Sequence, residues 1–185
     1  MSIRMAEEQD LEQILAIYSP YILNTTASFE YTVPTPEVFT QRFRDITRQF
    51  PWIVWEEDGK ILGYAYGSAP FHRAAYQWCA ESSIYLHPDF KGKGIGRQLQ
   101  SALEEFLALQ GYRKVYAIIT SENTGSMAFH KAMGYRTVAE MPECGWKFGK
   151  LLGITWMEKL LNSGQTPKSV PLPAKNIVNS HRKMV

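Results

Sequence analysis

The sequence predicts a mixed α/β domain in which a central sheet has helices on both faces. Two observations lead to this fold class. Apolar residues recur along the chain at two spacings, one typical of helices and one typical of strands. The predicted order along the chain is strand, two helices, hairpin, strand, helix, strand, helix and two strands. Hairpins and strand–helix–strand units in one chain build a mixed sheet covered by helices.

The N-terminal part of the chain is predicted to form a short strand and two helices. The strand lies near Ile3–Met5. The first helix is expected to begin behind Asp10 as its N-cap and to break or kink at Pro20. The second begins with Thr35 as N-cap and Pro36 in the first helical position. Its apolar stripe, which we interpret as core, consists of Phe39, Phe43, Ile46 and Phe50.

The middle of the chain is predicted to form three strands and a helix that a glycine-rich segment opens. The strands cover Trp52–Glu56, Ile61–Ser68 and Trp78–Leu86. Asp58 and Gly59 supply a tight turn between the first two. Residues 91–96 then open a helix that ends before Gly111. The apolar stripe of that helix consists of Ile95, Leu99, Leu103 and Phe106.

The next segment is predicted to form a strand, a helix and two more strands. Val115–Ile119 is a short, β-branched apolar run, typical of a strand covered on both faces. The helix starts near Asn123 and stops at Gly134. The last two strands, Tyr135–Met141 and Leu151–Leu160, enclose a glycine-rich loop.

One folded domain is expected over residues 1–161, followed by a C-terminal tail over residues 162–185. The tail contains Pro167, Pro171 and Pro173 among serine, asparagine and lysine. Such a composition is typical of a flexible segment, so we expect it to lie outside the core.

Composition restricts the partners and the location of the chain. It has 185 residues, of which 45% are hydrophobic, enough for one domain with a substantial core. The net charge of +2 favours a small-molecule partner over nucleic acid or an anionic membrane. Because no signal peptide or membrane-spanning run is recognisable, we expect a cytoplasmic protein. Cys79 and Cys144 have no disulfide framework or metal-ligand spacing, so no metal is expected.

Three glycines stand where a predicted strand gives way to a helix: Gly92, Gly94 and Gly96. In such a loop, backbone N–H groups and the positive end of the helix point at one anion. Glycines let a phosphate approach the backbone closely and permit positive φ. We therefore interpret the loop as a pyrophosphate site, with a flexible turn carrying solvated lysines as the alternative.

Two familiar phosphate motifs do not fit this loop. A P-loop requires Gly, four residues and then Gly-Lys-Ser/Thr, but Arg97 and Leu99 stand five residues after Gly92 and Gly94. The dinucleotide fingerprint places its third glycine three residues after the second, whereas Gly96 follows Gly94 by two. These spacings disfavour a nucleotide kinase and a Rossmann dehydrogenase.

The loop instead resembles the basic-x-x-Gly-x-Gly segment with which GNAT N-acetyltransferases hold the pyrophosphate of coenzyme A. Lys91 stands where that family usually has Gln or Arg. Residues 123–135 are similar to the family's Asn-x-x-Ala/Ser-x-x-x-Tyr/His-x-x-x-Gly-Phe/Tyr motif. The matching residues there are Asn123, Ser126, His130, Gly134 and Tyr135.

Further segments resemble the branch of this family that contains phosphinothricin and methionine sulfoximine acetyltransferases. They are Ala75–Leu86, Phe129–Tyr135 and Gly145–Gly149, and the resemblance runs from about Ile3 to Leu160. It implies an acyl-CoA N-acyltransferase fold with a central, mostly antiparallel mixed sheet flanked by helices, and an N-acetyltransferase domain over residues 1–161. It also implies acetyl-CoA as cosubstrate, direct attack by a small amino-acid-like amine without a metal, and, by analogy, a homodimer.

The resemblance implies two catalytic residues. Glu81 lies among apolar neighbours that raise a carboxyl pKa, and it is implied to remove the proton of the substrate ammonium. A carboxylate on a solvated strand position is the alternative. His130 stands where many relatives place a tyrosine that protonates the departing thiolate, and a structural histidine is the alternative.

The resemblance also implies the residues that bind the coenzyme. The backbone of the strand is implied to pair with the pantetheine arm and to stabilise the oxyanion, and the loop to hold the pyrophosphate. Asn123 is implied to hydrogen-bond the pantetheine, with helix N-cap as its alternative role. The full set is Ile84, Tyr85, Leu86, Lys91, Gly92, Lys93, Gly94, Ile95, Gly96, Arg97, Asn123 and Ser126.

The acceptor site departs from the branch pattern. Arg73 is implied to pair with an acceptor carboxylate, and Phe29 and Tyr76 to wall the pocket. A second basic residue of the branch is Phe71 here, and an aspartate of the branch is Gly153. Acetylation of another amine, such as a protein N-terminus, and a non-catalytic acyl-CoA-binding module therefore stay as alternatives.

Overall fold

The structure, a computed structural model, describes residues 2–162, 164, 166–167 and 169–181, with residues 178–181 described by their backbone alone. Its strands are β1 (Ser2–Met5), β2 (Trp52–Glu57), β3 (Lys60–Ser68), β4 (Cys79–Leu86), β5 (Lys114–Thr120), β6 (Arg136–Lys147) and β7 (Lys150–Leu160). Its helices are α1 (Leu11–Asn24), α2 (Pro36–Thr47), α3 (Ile95–Gln110), α4 (Thr124–Ala132) and α5 (Ala174–His181).

The described strands form one sheet in the order β1-β2-β3-β4-β5-β7-β6. Neighbouring strands are antiparallel except β4 and β5, which are parallel. The parallel pairing is short, since Cys79–Glu81 align with Lys114–Tyr116 while the strands run on to Leu86 and Thr120. The two strands therefore separate towards their carboxyl ends. The predicted mixed, mostly antiparallel sheet is confirmed.

Both faces of the sheet are buried, because successive residues of β2 point to opposite cores. Ile53 and Trp55 belong to the core that contains α3, whereas Trp52 and Val54 belong to the core that contains α1 and α2. We call these sides the α3 face and the α1/α2 face. Phe129 of α4 packs against the core of the α3 face.

Helix α1 does not end at Pro20, although the sequence predicts a break or kink there. It continues to Asn24, and Ile22, beyond the proline, is fully buried in the core of the α1/α2 face. The hydroxyl of Ser19 also donates to the Leu15 carbonyl oxygen at 2.7 Å. Burial of the last turn thus outweighs the proline penalty of about 3 kcal/mol. Packing, rather than local preference, sets the length of this helix.

The N-terminus of α2 and the first hairpin form as predicted. The hydroxyl of Thr35 accepts a hydrogen bond from the Val38 amide at 3.3 Å, and Pro36 occupies the first turn. Asp58 and Gly59 have φ of 51° and 76°, the left-handed pair of a tight hairpin turn.

The prediction of a glycine-rich loop between the last two strands is wrong. Strand β6 continues through Gly145 to Lys147, with an irregularity in its register between Met141 and Gly145. Phe148 and Gly149, with φ of 52° and 76°, then make a hairpin turn of the kind seen at residues 58–59. The prediction failed because the left-handed residue before the glycine is a phenylalanine, which is uncommon at such a position.

The described part of the C-terminal segment differs from the predicted tail outside the core. Ala174 and Ile177 of α5 are buried. The Leu172 amide donates to the Gln110 carbonyl oxygen at 2.8 Å, and the Ala174 amide donates to that of Gln49 at 3.1 Å. These backbone hydrogen bonds and the burial of the apolar side chains of α5 together hold the segment against the body of the domain. Residues 182–185 of the predicted tail lie outside the described residues.

Candidate active site

A cleft of about 540 Å³ opens where β4 and β5 separate. Its walls are the carboxyl ends of the two strands, and its mouth is formed by the glycine loop before α3 and the first turn of α4. The cleft exists because the parallel pairing ends at Glu81 and Tyr116. Beyond that pair, one edge of β4 has no strand beside it in the described sheet. An extended ligand can add to such an edge as a further strand.

The structure brings most of the predicted coenzyme residues together around this cleft. Those that line it are Ile84, Tyr85, Leu86, Lys91, Gly92, Gly94, Gly96, Arg97, Asn123 and Ser126. Two others lie elsewhere. The side chain of Ile95 is buried in the core, so only its backbone can face an anion in the loop. The ammonium of Lys93 lies 4.4 Å from the centre of the Phe90 ring.

The three glycines of the loop have different roles. Gly92 and Gly94 have φ of 78° and 81°, and an added Cβ would meet no atom within 4 Å at either position. Backbone conformation is therefore the requirement at these two positions. A Cβ on Gly96 would lie 3.3 Å from Leu86 Cδ1, so this glycine lets α3 approach β4 closely. Gly94 is the N-cap of α3, whose free N–H groups face the loop.

Tyr21 is a residue of the cleft that the sequence did not suggest. Its hydroxyl donates to the Leu86 carbonyl oxygen at 2.6 Å, and its ring lies 4.9 Å below the Lys91 ammonium. It thereby joins α1 to both the wall and the mouth of the cleft. No local motif identifies it, because its partners lie far along the chain.

Asn123 caps α4 and faces the cleft at the same time. Its Oδ1 accepts from the Ser126 amide at 3.1 Å. Its amide nitrogen has no hydrogen-bond partner among the described residues, and both predicted roles are compatible with this geometry.

Glu81 lies at the point where β4 and β5 separate. It aligns with Tyr116 of β5, and it projects to the α1/α2 face because its neighbour Ala80 is buried in the core of the α3 face. No side chain or amide of the described residues donates a hydrogen bond to its carboxylate. Burial therefore acts unopposed and raises the pKa of Glu81 to about 7. A carboxyl with such a pKa is matched to proton transfer near neutral pH.

His130 is buried, with 3% of its surface exposed, and contributes to the cleft wall. Its Nδ1 lies 2.9 Å from the Ser126 carbonyl oxygen, so Nδ1 carries a proton. Its Nε2 is buried without a hydrogen-bond partner in the described residues. Burial lowers the pKa of His130, so the ring is neutral near pH 7 and Nε2 is an acceptor. The predicted role as proton donor requires that Nε2 first gain a proton.

The predicted acceptor residues lie outside the coenzyme cleft. Phe29 packs on the β6–β7 hairpin, where a Cβ added to Gly145 would overlap the Phe29 ring. Tyr76 contacts Phe71, with ring centres 4.7 Å apart. Arg73 is exposed and forms no ion pair in the described part of the chain.

A buried lysine that the sequence did not suggest as a site residue holds the Phe29 segment. The ammonium of Lys147 donates to the carbonyl oxygens of Ile22, Thr25 and Ser28 at 2.7, 2.9 and 2.5 Å. The first two lie at the C-terminal end of α1, where a cation also meets the negative end of the helix dipole. The loop after α1 is thereby fixed against the β6–β7 hairpin.

The separated strands, with a glycine loop and a helix N-terminus at their open end, define a class of protein that can hold an extended, phosphate-bearing ligand between two strands. Residues 3–163 match the model of the acetyltransferase (GNAT) domain. The phosphinothricin N-acetyltransferase of Alcaligenes faecalis is 34% identical over 89% of this chain and 85% of its own. An L-methionine sulfoximine/L-methionine sulfone acetyltransferase of Pseudomonas aeruginosa is 39% identical over 85% of this chain and 92% of its own.

A solved structure agrees with these sequence relatives. The phosphinothricin acetyltransferase (Pat) of Sinorhizobium meliloti in complex with AcCoA has a TM-score of 0.88 and 35% identity, covering 94% of this chain and 96% of that one. The chain belongs to the GNAT acetyltransferase family.

The family and the fold predicted from the sequence are confirmed, as is the prediction of an acetyl-CoA-dependent N-acetyltransferase. In the described residues, no group of three or more His, Cys, Asp or Glu side chains is placed to hold a metal ion. The expectation of metal-free transfer stays a prediction. No helix in the described ranges is long and apolar enough to cross a membrane.

Proposed function

We propose that this enzyme transfers the acetyl group of acetyl-CoA directly to the primary amine of a small amino-acid-like acceptor, and that Glu81 is the base. The observation that carries this proposal is the position of Glu81 where β4 and β5 separate, next to Ser82 of the cleft wall, with a pKa raised to about 7. Names of relatives support the acceptor class, since they include phosphinothricin and methionine sulfoximine acetyltransferases.

The chain's own residues suit the coenzyme. The edge of β4 that has no neighbouring strand in the described sheet offers backbone groups to the pantetheine arm. Asn123 adds, at the cleft wall, an amide nitrogen that has no partner among the described residues. Gly92 and Gly94 expose backbone to an anion, and Lys91 and Arg97 add positive charge beside it. The Nε2 of His130, which has no partner in the part of the chain that the structure describes, can accept a hydrogen bond from a ligand or a water in the cleft wall.

The acceptor amine must lose one proton before it can attack. An ammonium cannot attack a thioester, so the Glu81 carboxylate takes this proton directly or through water. The free amine then attacks the thioester carbonyl carbon, and an amide N–H of the β4 edge stabilises the oxyanion. As the C–S bond breaks, the amine nitrogen gives up one of its two protons and keeps the other as the N–H of the new amide. The released proton passes to the departing thiolate, and the coenzyme leaves as the thiol.

A thiol-release assay with acetyl-CoA and a panel of amines tests this proposal. Free amino acids and their analogues should be acetylated, and peptides with free N-termini should react at least tenfold more slowly. Acetyl-CoA binding without turnover of any amine would favour the non-catalytic binding module instead. Turnover restricted to peptides would move the function to the acetylation of protein N-termini.

The homodimer and the cytoplasmic location belong to the same proposal. Support for the dimer comes from the β6–β7 hairpin. Strand β6 is a long edge strand whose residues are mostly exposed. Its hairpin exposes large apolar side chains, which are Val138, Met141, Trp146, Phe148 and Leu151. Exposed edges and apolar patches of this kind are normally covered in solution. Light scattering of the purified protein, with Trp146→Glu as the disrupting variant, tests the dimer.

A further inference from the structure

Four aromatic side chains form a cluster beside Glu81. The Phe71 ring stacks on Trp156, with ring centres 5.5 Å apart and an angle of 19° between the planes. It lies 4.7 Å from the Tyr76 ring and 6.0 Å from the Tyr116 ring, which in turn lies 5.5 Å from Trp156. We call Phe71, Tyr76, Tyr116 and Trp156 the aromatic cluster.

The aromatic cluster shares a sheet face with the proposed base. Tyr116 aligns with Glu81 across the β4–β5 pairing, and aligned residues of neighbouring strands project to the same side. Trp156 aligns with Ile118, two residues further along β5, and therefore lies on that side as well. Tyr76 is 45% exposed and Phe71 is half-buried, so both rings are accessible to a ligand from solvent.

Positive charge is scarce around the cluster. The Lys114 ammonium lies 5.6 Å from the centre of the Tyr116 ring, but it is bound at 2.5 Å by the Glu158 carboxylate. Arg73 is the cation of the neighbouring loop without an ion pair in the described residues. Arg73 can therefore form an ion pair with one carboxylate of an acceptor. A second anionic group would meet the face of Phe71 instead.

We propose that the aromatic cluster is the side-chain pocket of the acceptor site, and that Phe71 makes the enzyme select free α-amino acids with apolar or aromatic side chains. This inference rests on the proposed acetyltransferase function. Aromatic rings bind apolar groups favourably. An anionic group buried against these rings without a cation loses the free energy of its hydration and gains no ion pair in return. The pocket therefore discriminates against acceptors with a second negative charge, such as phosphinothricin and glutamate.

A comparison of acceptors in the thiol-release assay tests the pocket. We expect kcat/KM for L-phenylalanine to exceed that for phosphinothricin by about tenfold or more in the unmodified enzyme. Phe71→Arg adds a cation at the cluster and should lower this ratio at least tenfold. Phe71→Leu keeps the site apolar without a ring, so it should weaken phenylalanine without improving phosphinothricin. Leu109→Arg, an equal change at an exposed position of α3, should leave the ratio unchanged.

The possible outcomes separate this inference from the function on which it rests. If no amine is acetylated although acetyl-CoA binds, the proposed function fails. If phosphinothricin reacts as fast as phenylalanine, or Phe71→Arg behaves as Leu109→Arg does, the pocket assignment is wrong and the function stands. A Phe71→Arg variant that changes oligomeric state but not acceptor preference would make the cluster an interface between two copies and overturn the pocket.

Discussion

The Lys147 ammonium is hydrogen-bonded to the Ser28 carbonyl oxygen at 2.5 Å, although 119 residues separate the two along the chain. Lys147 is 2% exposed, and its other two acceptors are also backbone carbonyls. Lys147 therefore anchors the β6–β7 hairpin to the loop that carries Phe29, and the Tyr31 hydroxyl, which donates to the Trp146 carbonyl oxygen, joins the same two segments.

Lys147→Met should destabilise the protein strongly. It keeps an apolar chain of similar length but leaves three carbonyl groups without their donor. We expect the free energy of unfolding to fall by about 2 kcal/mol or more, measured by urea denaturation. Lys150→Met, in the same hairpin, removes an exposed ion pair with Glu122 and should cost no more than about 0.5 kcal/mol. Equal losses for the two variants would contradict the anchoring role.

Glu81→Gln should lower the rate by roughly a hundredfold to ten-thousandfold at neutral pH, with acetyl-CoA affinity preserved. The unmodified enzyme should gain kcat/KM as pH rises through about 7, the pKa to which burial raises Glu81. The loss in the variant should shrink at high pH, because the amine then arrives deprotonated. A larger loss in His130→Ala with the same recovery would move the base to His130.

The same substitution should change how stability depends on pH. Burial raises the pKa of Glu81 from 4.5 to about 7, so the folded protein favours the protonated form. Its stability contribution is fully present below pH 4.5 and is lost as pH rises through 7. Glu81→Gln should therefore be more stable than the unmodified protein at pH 8, by on the order of 3 kcal/mol. The difference should vanish near pH 4, and a constant difference in thermal unfolding would refute the burial of this carboxyl.

Substitution by valine should have different effects at Gly94 and at Gly96. Gly94→Val forces a β-branched residue to a φ of 81°, so the loop should distort and KM for acetyl-CoA should rise more than KM for the amine. Gly96→Val pushes against Leu86 and should cost about 1–3 kcal/mol of stability. Steady-state kinetics and thermal melts of both variants check this. Unchanged coenzyme KM in a folded Gly94→Val protein would remove the loop from the coenzyme site.

Arg73→Ala should weaken amines that carry a carboxylate by about tenfold or more while sparing uncharged amines. Arg73 is exposed and makes no ion pair in the described structure, so stability should not change. Arg48→Ala, at the exposed residue that follows α2, is the control for lost positive charge, and its ion pair with Asp45 is itself exposed to solvent. Parallel losses for both kinds of amine would assign Arg73 a structural role.

Local patterns were sufficient to predict those parts of the fold that local chemistry determines. The Thr35 cap, the Asp58-Gly59 turn and the Gly111 helix end follow from residues whose preferences hold within a few positions. The same is true of the loop glycines and of Asn123, because each acts through its own backbone or that of its neighbours.

Features created by distant packing could not be predicted in this way. The continuation of α1 past Pro20 depends on Ile22 entering the core, and the place of Tyr21 depends on Leu86. The burial of Lys147 is even less visible in the sequence, where a lysine next to a turn indicates a solvated residue. The position of Glu81 was predictable only as part of a strand, since its environment depends on where β5 leaves β4.

The docked C-terminal segment has a practical consequence for anyone who shortens or fuses this chain. Truncation at residue 161 would remove the carbonyl oxygens of Pro171 and Leu172. The side-chain amides of Gln49 and Gln110 donate hydrogen bonds to these oxygens. It would also open the surface that Ile177 covers. Shortened or fused versions of the chain should therefore retain this segment.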